Sequence, residues 1–157
     1  MSNLAQTLSS RLQGLTAIVT GGANGIGAAT VRLLRSCGAN VVIADLASSR
    51  QSAATLIETM GPGDRDHLRF IATDITKWDQ VRHLFAETRK SYGDPHLVVA
   101  NAGIMESRDV LDVDDCTQGE DGGGLREPLE AYRVFDVNLK GTFNSELHPT
   151  TRGEFGS

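Results

Sequence analysis

The sequence predicts an α/β fold: an open, parallel, doubly wound sheet, incomplete at about four strands. Three observations lead there. Four short, β-branched apolar runs between residues 16 and 100 are separated by stretches of helical periodicity. The runs are apolar throughout rather than alternating, as strands covered on both faces must be. Glycines crowd the connection after the first run, where a strand turns tightly into a helix.

The first strand is "TAIVT", Thr16 to Thr20. In the helix that follows, Ile26, Ala29, Leu33, Leu34 and Cys37 recur at three- and four-residue spacing, and Gly38 ends it. "NVVIAD" (Asn40 to Asp45) is the second strand. The second helix puts Ala53, Leu56, Ile57 and Met60 on one face, and "GPGD" (Gly61 to Asp64) breaks it. "HLRFIAT" (His67 to Thr73) is the third strand, a helix carrying Trp78, Val81, Leu84, Phe85 and Tyr92 follows, and "HLVVA" (His96 to Ala100) is the fourth strand. Right-handed crossovers between parallel strands make this a Rossmann-like sheet whose first four strands run 3-2-1-4.

Beyond the fourth strand the character changes. Between Glu106 and Glu130 stand nine of the chain's 20 carboxylates (Glu106, Asp109, Asp112, Asp114, Asp115, Glu120, Asp121, Glu127, Glu130), with Gly122, Gly123 and Gly124 among them. A calcium loop does not fit, because Cys116 and Thr117 stand where an EF-hand needs an oxygen ligand and its turn glycine. The reading is a solvated acidic loop over 106–127. "PLEAYRVFDVNLKGTF" (Pro128 to Phe143) is helical again, with Leu129, Tyr132, Phe135, Leu139 and Phe143 as its apolar stripe.

The chain of 157 residues suits one domain, and its net charge of −5 argues against nucleic-acid binding. Cys37 and Cys116 form no CxxC pair and read as reduced thiols of a cytoplasmic protein. His67, His83, His96 and His148 are scattered without ligand spacing, so no metal site is expected. No apolar run approaches the ~20 residues of a membrane span. Residues 1–14, "MSNLAQTLSSRLQG", read as a polar leader without a signal-peptide core.

The chemistry concentrates in "TGGANGIGAAT", Thr20 to Thr30. A helix N-terminus exposes unpaired N–H groups and partial positive charge, which stabilise an anionic phosphate when no side chain blocks the approach. Gly21, Gly25 and Gly27 supply that clearance. No lysine follows, so P-loop hydrolysis does not fit. Asp45 ends the second strand, at the distance where a carboxylate reaches adenosine ribose hydroxyls. The alternative for Asp45 is a strand-end turn or cap residue. Glycines and Asp45 together point to a dinucleotide. The Asp45 charge repels a 2′-phosphate, so NAD is expected in preference to NADP.

With "TGGANGIG" (Thr20 to Gly27), "DIT" (Asp74 to Thr76), "NAG" (Asn101 to Gly103) and "NLKG" (Asn138 to Gly141) in that order, the chain resembles short-chain dehydrogenases/reductases over about residues 14–144. The resemblance implies that Gly21, Asn24, Gly25, Ile26 and Gly27 line the pyrophosphate and that Asp45 takes the ribose. It implies that Asp74 and Ile75 meet the adenine, and that Asn101, Ala102 and Gly103 flank the cofactor. Asn138 resembles the helix asparagine of the catalytic tetrad, which helps hold a proton-relay water. Plainer roles stand beside these: Asp74 as a helix cap, Asn101 bonding nearby backbone, Asn138 bridging backbone segments, Lys140 simply solvated.

The implied reaction is hydride transfer between a nicotinamide dinucleotide and a small alcohol or carbonyl. It needs a serine and a Tyr-x-x-x-Lys pair beyond Asn138, the lysine lowering the tyrosine pKa. The two tyrosines, Tyr92 and Tyr132, are followed four residues on by His96 and Asp136. Residues 15–144 are therefore expected to be the partial dinucleotide-binding domain of a truncated member, inactive as an isolated chain, with 145–157 a tail outside the resemblance. The alternative is a non-catalytic dinucleotide-binding or interaction module. An uncovered fourth strand and last helix are expected to invite pairing, including between copies of the chain.

Overall fold

The computed structural model describes residues 10–105 and 129–146. The leader up to residue 9, the acidic loop 106–127 with Cys116, and the tail from residue 147 lie outside the described residues.

Four parallel strands, β1 (Thr16–Thr20), β2 (Asn40–Asp45), β3 (Leu68–Ala72) and β4 (Leu97–Val99), form one sheet in the order β3-β2-β1-β4. Ile18 pairs with Val42 on one side and Val98 on the other, and Val42 with Arg69. The crossovers are α1 (Gly25–Ser36), α2 (Arg50–Thr59) and α3 (Trp78–Tyr92).

Period-two geometry divides the core. Ala17, Val19, Val41, Ile43 and Leu68 point to the face covered by α1 and α2, where Ala28, Val31, Leu34, Ala53 and Leu56 meet them. Ile18, Val42, Ala44 and Ile71 point to the other face, against Val81, Leu84 and Phe85 of α3. Every residue of β1 is buried, which is why its sequence reads as an unbroken apolar run.

The helix stripes need correction. In α1 the buried residues are Gly27, Ala28, Val31 and Leu34, while Ile26 and Leu33 are 80% and 60% exposed. The packed face is rotated by about one residue: the small residues Gly27 and Ala28 lie against the sheet in the first turn, followed by Val31 and Leu34. Trp78 is exposed at the start of α3, and Thr88 is buried near its end. Gly38 does end α1, at a φ of +86°.

The third and fourth strands are shorter than their apolar runs. At the start of the fourth, the His96 N–H donates to the Thr16 carbonyl (2.8 Å), while its ring Nδ1 accepts from the Thr16 N–H (3.1 Å). A side chain thus stands in for a ladder acceptor, and regular pairing begins at Leu97. Among the described residues β4 has β1 as its sole partner.

The last segment is not one uniform helix. α4 (Leu129–Phe135) passes into a π-helical turn, Asp136–Gly141, and then into α5 (Thr142–Glu146). Gly141 and Ser145 are buried, while Leu129, Tyr132, Phe135, Leu139 and Phe143 are exposed. The apolar stripe thus faces away from the sheet.

The Tyr92 phenol, half-buried at the end of α3, donates to the Asp66 carbonyl (3.0 Å). Burial, aided by the Asp66 charge and opposed by Arg69 and Arg35, raises its pKa above the ordinary value of 10.0. A raised folded-state pKa means this contribution is complete below about pH 10 and is lost as pH rises through the folded value. Tyr92→Phe is expected to cost about 1 kcal/mol at pH 8. The gap from the parent should close toward pH 11 in urea unfolding, and a gap independent of pH would contradict this account.

Candidate functional site

The strands end together, and at their C-terminal ends a cavity of about 570 Å³ opens where the chain switches from β1 to β4. Its walls come from four connections. Gly21, Asn24, Gly25, Ile26 and Gly27 lie after β1, and Asp45 and Leu46 at the end of β2. Thr73, Asp74, Ile75 and Thr76 follow β3, and Asn101, Ala102, Gly103 and Ile104 follow β4. Arg133, Asp136 and Val137 close it from the last helix. All eleven residues that the sequence nominated for a cofactor therefore face one space.

The glycine turn is held by backbone. Gly21 donates to the Ala44 carbonyl (2.8 Å) at a φ of +64°, and Gly25 takes +53°. At Gly27 a Cβ would fall on the Gly21 carbonyl oxygen and lie 2.7 Å from Asn101 Nδ2. Only glycine lets α1 start this close to β1. Asn24 makes no side-chain cap, and the first turn of α1 carries no acidic residue. The N–H groups at that helix end are thus left for another acceptor.

Asp45 closes the turn from below. Its Oδ2 accepts from the Ala23 N–H (3.0 Å) and its Oδ1 from the Leu46 N–H (2.8 Å). The strand-end role and a place on the cavity wall therefore coincide. Asp74 does the same after β3: its Oδ1 accepts from the Thr76 N–H (3.0 Å) and hydroxyl (2.7 Å), and its carbonyl accepts from the Lys77 N–H (3.0 Å). The third helix starts after Lys77, so Asp74 shapes the corner rather than capping the helix.

Asn101 bonds neighbouring backbone. Its Nδ2 donates to the Thr20 carbonyl (3.0 Å) and the Gly21 carbonyl (3.2 Å). Thr20 answers across the gap, its Oγ1 accepting from the Asn101 and Ala102 N–H groups, both at 3.1 Å. β1 and β4 are thereby stitched together at the mouth of the cavity. Thr20 stood in the glycine motif, but its hydroxyl carried no signal in sequence because its partners lie about 80 residues away.

Asn138 lies in the π turn and does not line the cavity itself. Its Oδ1 accepts from the Ile104 N–H and its Nδ2 donates to the Ile104 carbonyl, both at 2.8 Å. A Cβ on Gly103 would sit 3.2 Å from that Oδ1. The asparagine thus bridges backbone, holding the chain after β4 against the last helix. One lone pair and one N–H remain on its amide. Lys140 is exposed and faces Asp136 at 3.7 Å. The charged wall of the cavity is Asp45, Asp74 and Asp136 against Arg133.

No helix among the described residues is long and apolar enough to cross a membrane. The family model "short chain dehydrogenase" matches residues 15–148. The chain is similar to (+)-borneol dehydrogenase 1 of Salvia officinalis, 36% identical over 157 aligned positions, covering 96% of this chain and 54% of that protein. It is similar to secoisolariciresinol dehydrogenase of Forsythia intermedia, 30% identical, covering 94% of this chain and 47% of that one. Its fold is similar to a 3-ketoacyl-(acyl-carrier-protein) reductase from Brucella melitensis complexed with NADH. The TM-score there is 0.66 at 27% identity, over 85% of this chain and 48% of that structure. The chain spans about half the length of the curated relatives it matches. Because the family match runs through all four strands and every connection that walls the cavity, the chain belongs to the short-chain dehydrogenase family.

Proposed function

We propose that this chain binds a nicotinamide dinucleotide, NAD in preference to NADP. The parent reaction is hydride transfer between nicotinamide and a small alcohol or carbonyl. The observation that carries the reading is the convergence of the eleven nominated residues on one cavity at the β1–β4 switch. The free N–H groups at the start of α1 and the glycine clearance at Gly27 suit a pyrophosphate. Asp45 would take the adenosine ribose, Asp74 and Ile75 the adenine, and Asn101 to Gly103 the rest of the cofactor. The three carboxylates on the wall disfavour a further phosphate, which supports NAD.

When bound, the nicotinamide supplies or accepts the hydride. Asn138 is the one member of the catalytic set that this sequence holds, and its remaining N–H and lone pair suit a water. The serine and the Tyr-x-x-x-Lys pair have no counterpart among these 157 residues, so the isolated chain lacks a general acid for the substrate oxygen. A reduced, buried Cys37 suits the cytoplasm.

Calorimetric titration should give NADH an affinity at least about tenfold above NADPH, and a panel of alcohols and carbonyls should give no turnover. Equal affinities would overturn the NAD preference. Absence of binding would overturn the dinucleotide reading, and turnover would overturn the inactivity.

A further inference from the structure

Asn144 lies six residues after Asn138 and outside the motifs. Its Nδ2 donates to the Ile75 carbonyl at 2.8 Å, across 69 residues of sequence. The same residue is gripped a second time. Ile75 is buried, and its side chain lies so close to Gly141 that a Cβ there would be 2.5 Å from Cδ1 and 2.6 Å from Cγ1. The end of the last helix therefore holds both the side chain and the carbonyl of Ile75.

The corner around Ile75 is otherwise closed on itself. The Asp74 N–H donates to Gln80 Oε1 (2.8 Å), the Thr76 N–H to Asp74 Oδ1, and the Lys77 N–H to the Asp74 carbonyl. The Ile75 N–H makes no hydrogen bond among the described residues, and Ile75 lines the cavity beside Asp74. The peptide plane before Ile75, which contains that N–H, is held by the Lys77 bond; the plane after it is held from within the corner by the Thr76 bond to Asp74 Oδ1 and from outside by Asn144. The two asparagines thus share one task on opposite walls: Asn138 holds the chain after β4 at Ile104, and Asn144 holds the chain after β3 at Ile75.

We propose that Asn144 is a positioning residue for the adenosine end of the ligand, fixing the Asp74–Ile75 edge that the base meets. This rests on the dinucleotide reading above and adds a residue to it. The glycine turn has no bond to Asn144, so the effect is confined to ligands that carry the base.

The test uses this chain with Asn144→Leu, which keeps bulk and removes the donor, and Asn144→Asp, which keeps shape and puts an acceptor against the carbonyl. In the ligand-free protein, amide hydrogen exchange at Thr76 and Lys77 should quicken about tenfold while β1 and β2 are unchanged. Affinity for AMP should fall about tenfold, with affinity for inorganic pyrophosphate unchanged. Unchanged exchange at the corner, or exchange that quickens equally across the sheet in both variants, would overturn the proposal, as would equal losses for AMP and pyrophosphate. A parent chain that binds neither NADH nor AMP would count against the dinucleotide reading, and the exchange result alone would then decide the clamp.

Discussion

Gly27→Ala is expected to abolish dinucleotide binding and to lower the unfolding midpoint of the chain. The added methyl would fall on the Gly21 carbonyl oxygen and lie 2.7 Å from Asn101 Nδ2. Neither neighbour can yield cheaply, because Asn101 Nδ2 is itself bonded to the Gly21 carbonyl (3.2 Å). Relief requires α1 to move off β1, which breaks the turn. Overpacking of this kind costs about 2–3 kcal/mol, or about 5–10 °C in Tm for a domain of this size. Gly25→Ala is the informative comparison. Its Cβ would meet nothing within 4 Å, so the cost is that of a φ of +53° alone, about 1–2 kcal/mol. Thermal unfolding and NADH titration on both variants check the ranking. A folded Gly27→Ala chain with parental NADH affinity would contradict it.

Thr20→Val should destabilise by about 2–3 kcal/mol, although valine fills the same space. Thr20 is 1% exposed, and its Oγ1 serves three backbone groups: it donates to the Val99 carbonyl and accepts from the N–H groups of Asn101 and Ala102. Asn101 keeps a second acceptor, the Val99 carbonyl at 3.0 Å, but Ala102 does not. Thr16→Val provides the scale, since Thr16 Oγ1 is equally buried and makes one bond, to the Tyr92 carbonyl (2.8 Å). Urea unfolding of the two variants should separate them by at least about 1 kcal/mol. A smaller penalty for Thr20 than for Thr16 would show that the stitch across β1 and β4 carries no stability.

The strands were legible because β1 and β2 are covered on both faces, which leaves a continuous apolar run. Their order followed from the doubly wound pattern, in which right-handed crossovers run outward from β1 in both directions. The helix faces were misread wherever closeness, rather than hydrophobicity, decides what packs. Gly27 and Ala28 in α1, and Gly141 and Ser145 at the last helix, touch the core, yet hydropathy gives them little weight. Ile26 and Leu33 look like core residues and are exposed. The site was legible through its glycines and carboxylates, whose chemistry is local. Thr20 and Asn144 were not, because each acts on a backbone group about 70 to 80 residues away, where a single sequence has no periodicity to betray it. The π turn at Asp136–Gly141 escaped for a similar reason: an extra residue in one turn leaves the apolar spacing almost unaltered.

The stitch between Thr20 and Asn101 also orders events in time. The two residues are separated by 81 positions, and a ribosome adds roughly 5–20 residues per second. A nascent chain therefore carries its glycine turn for several seconds before the residue that anchors it has been made. During that interval β1 has β2 to pair with and nothing on its other edge. The part of the chain that is recognised first in the sequence is among the last to take its final shape.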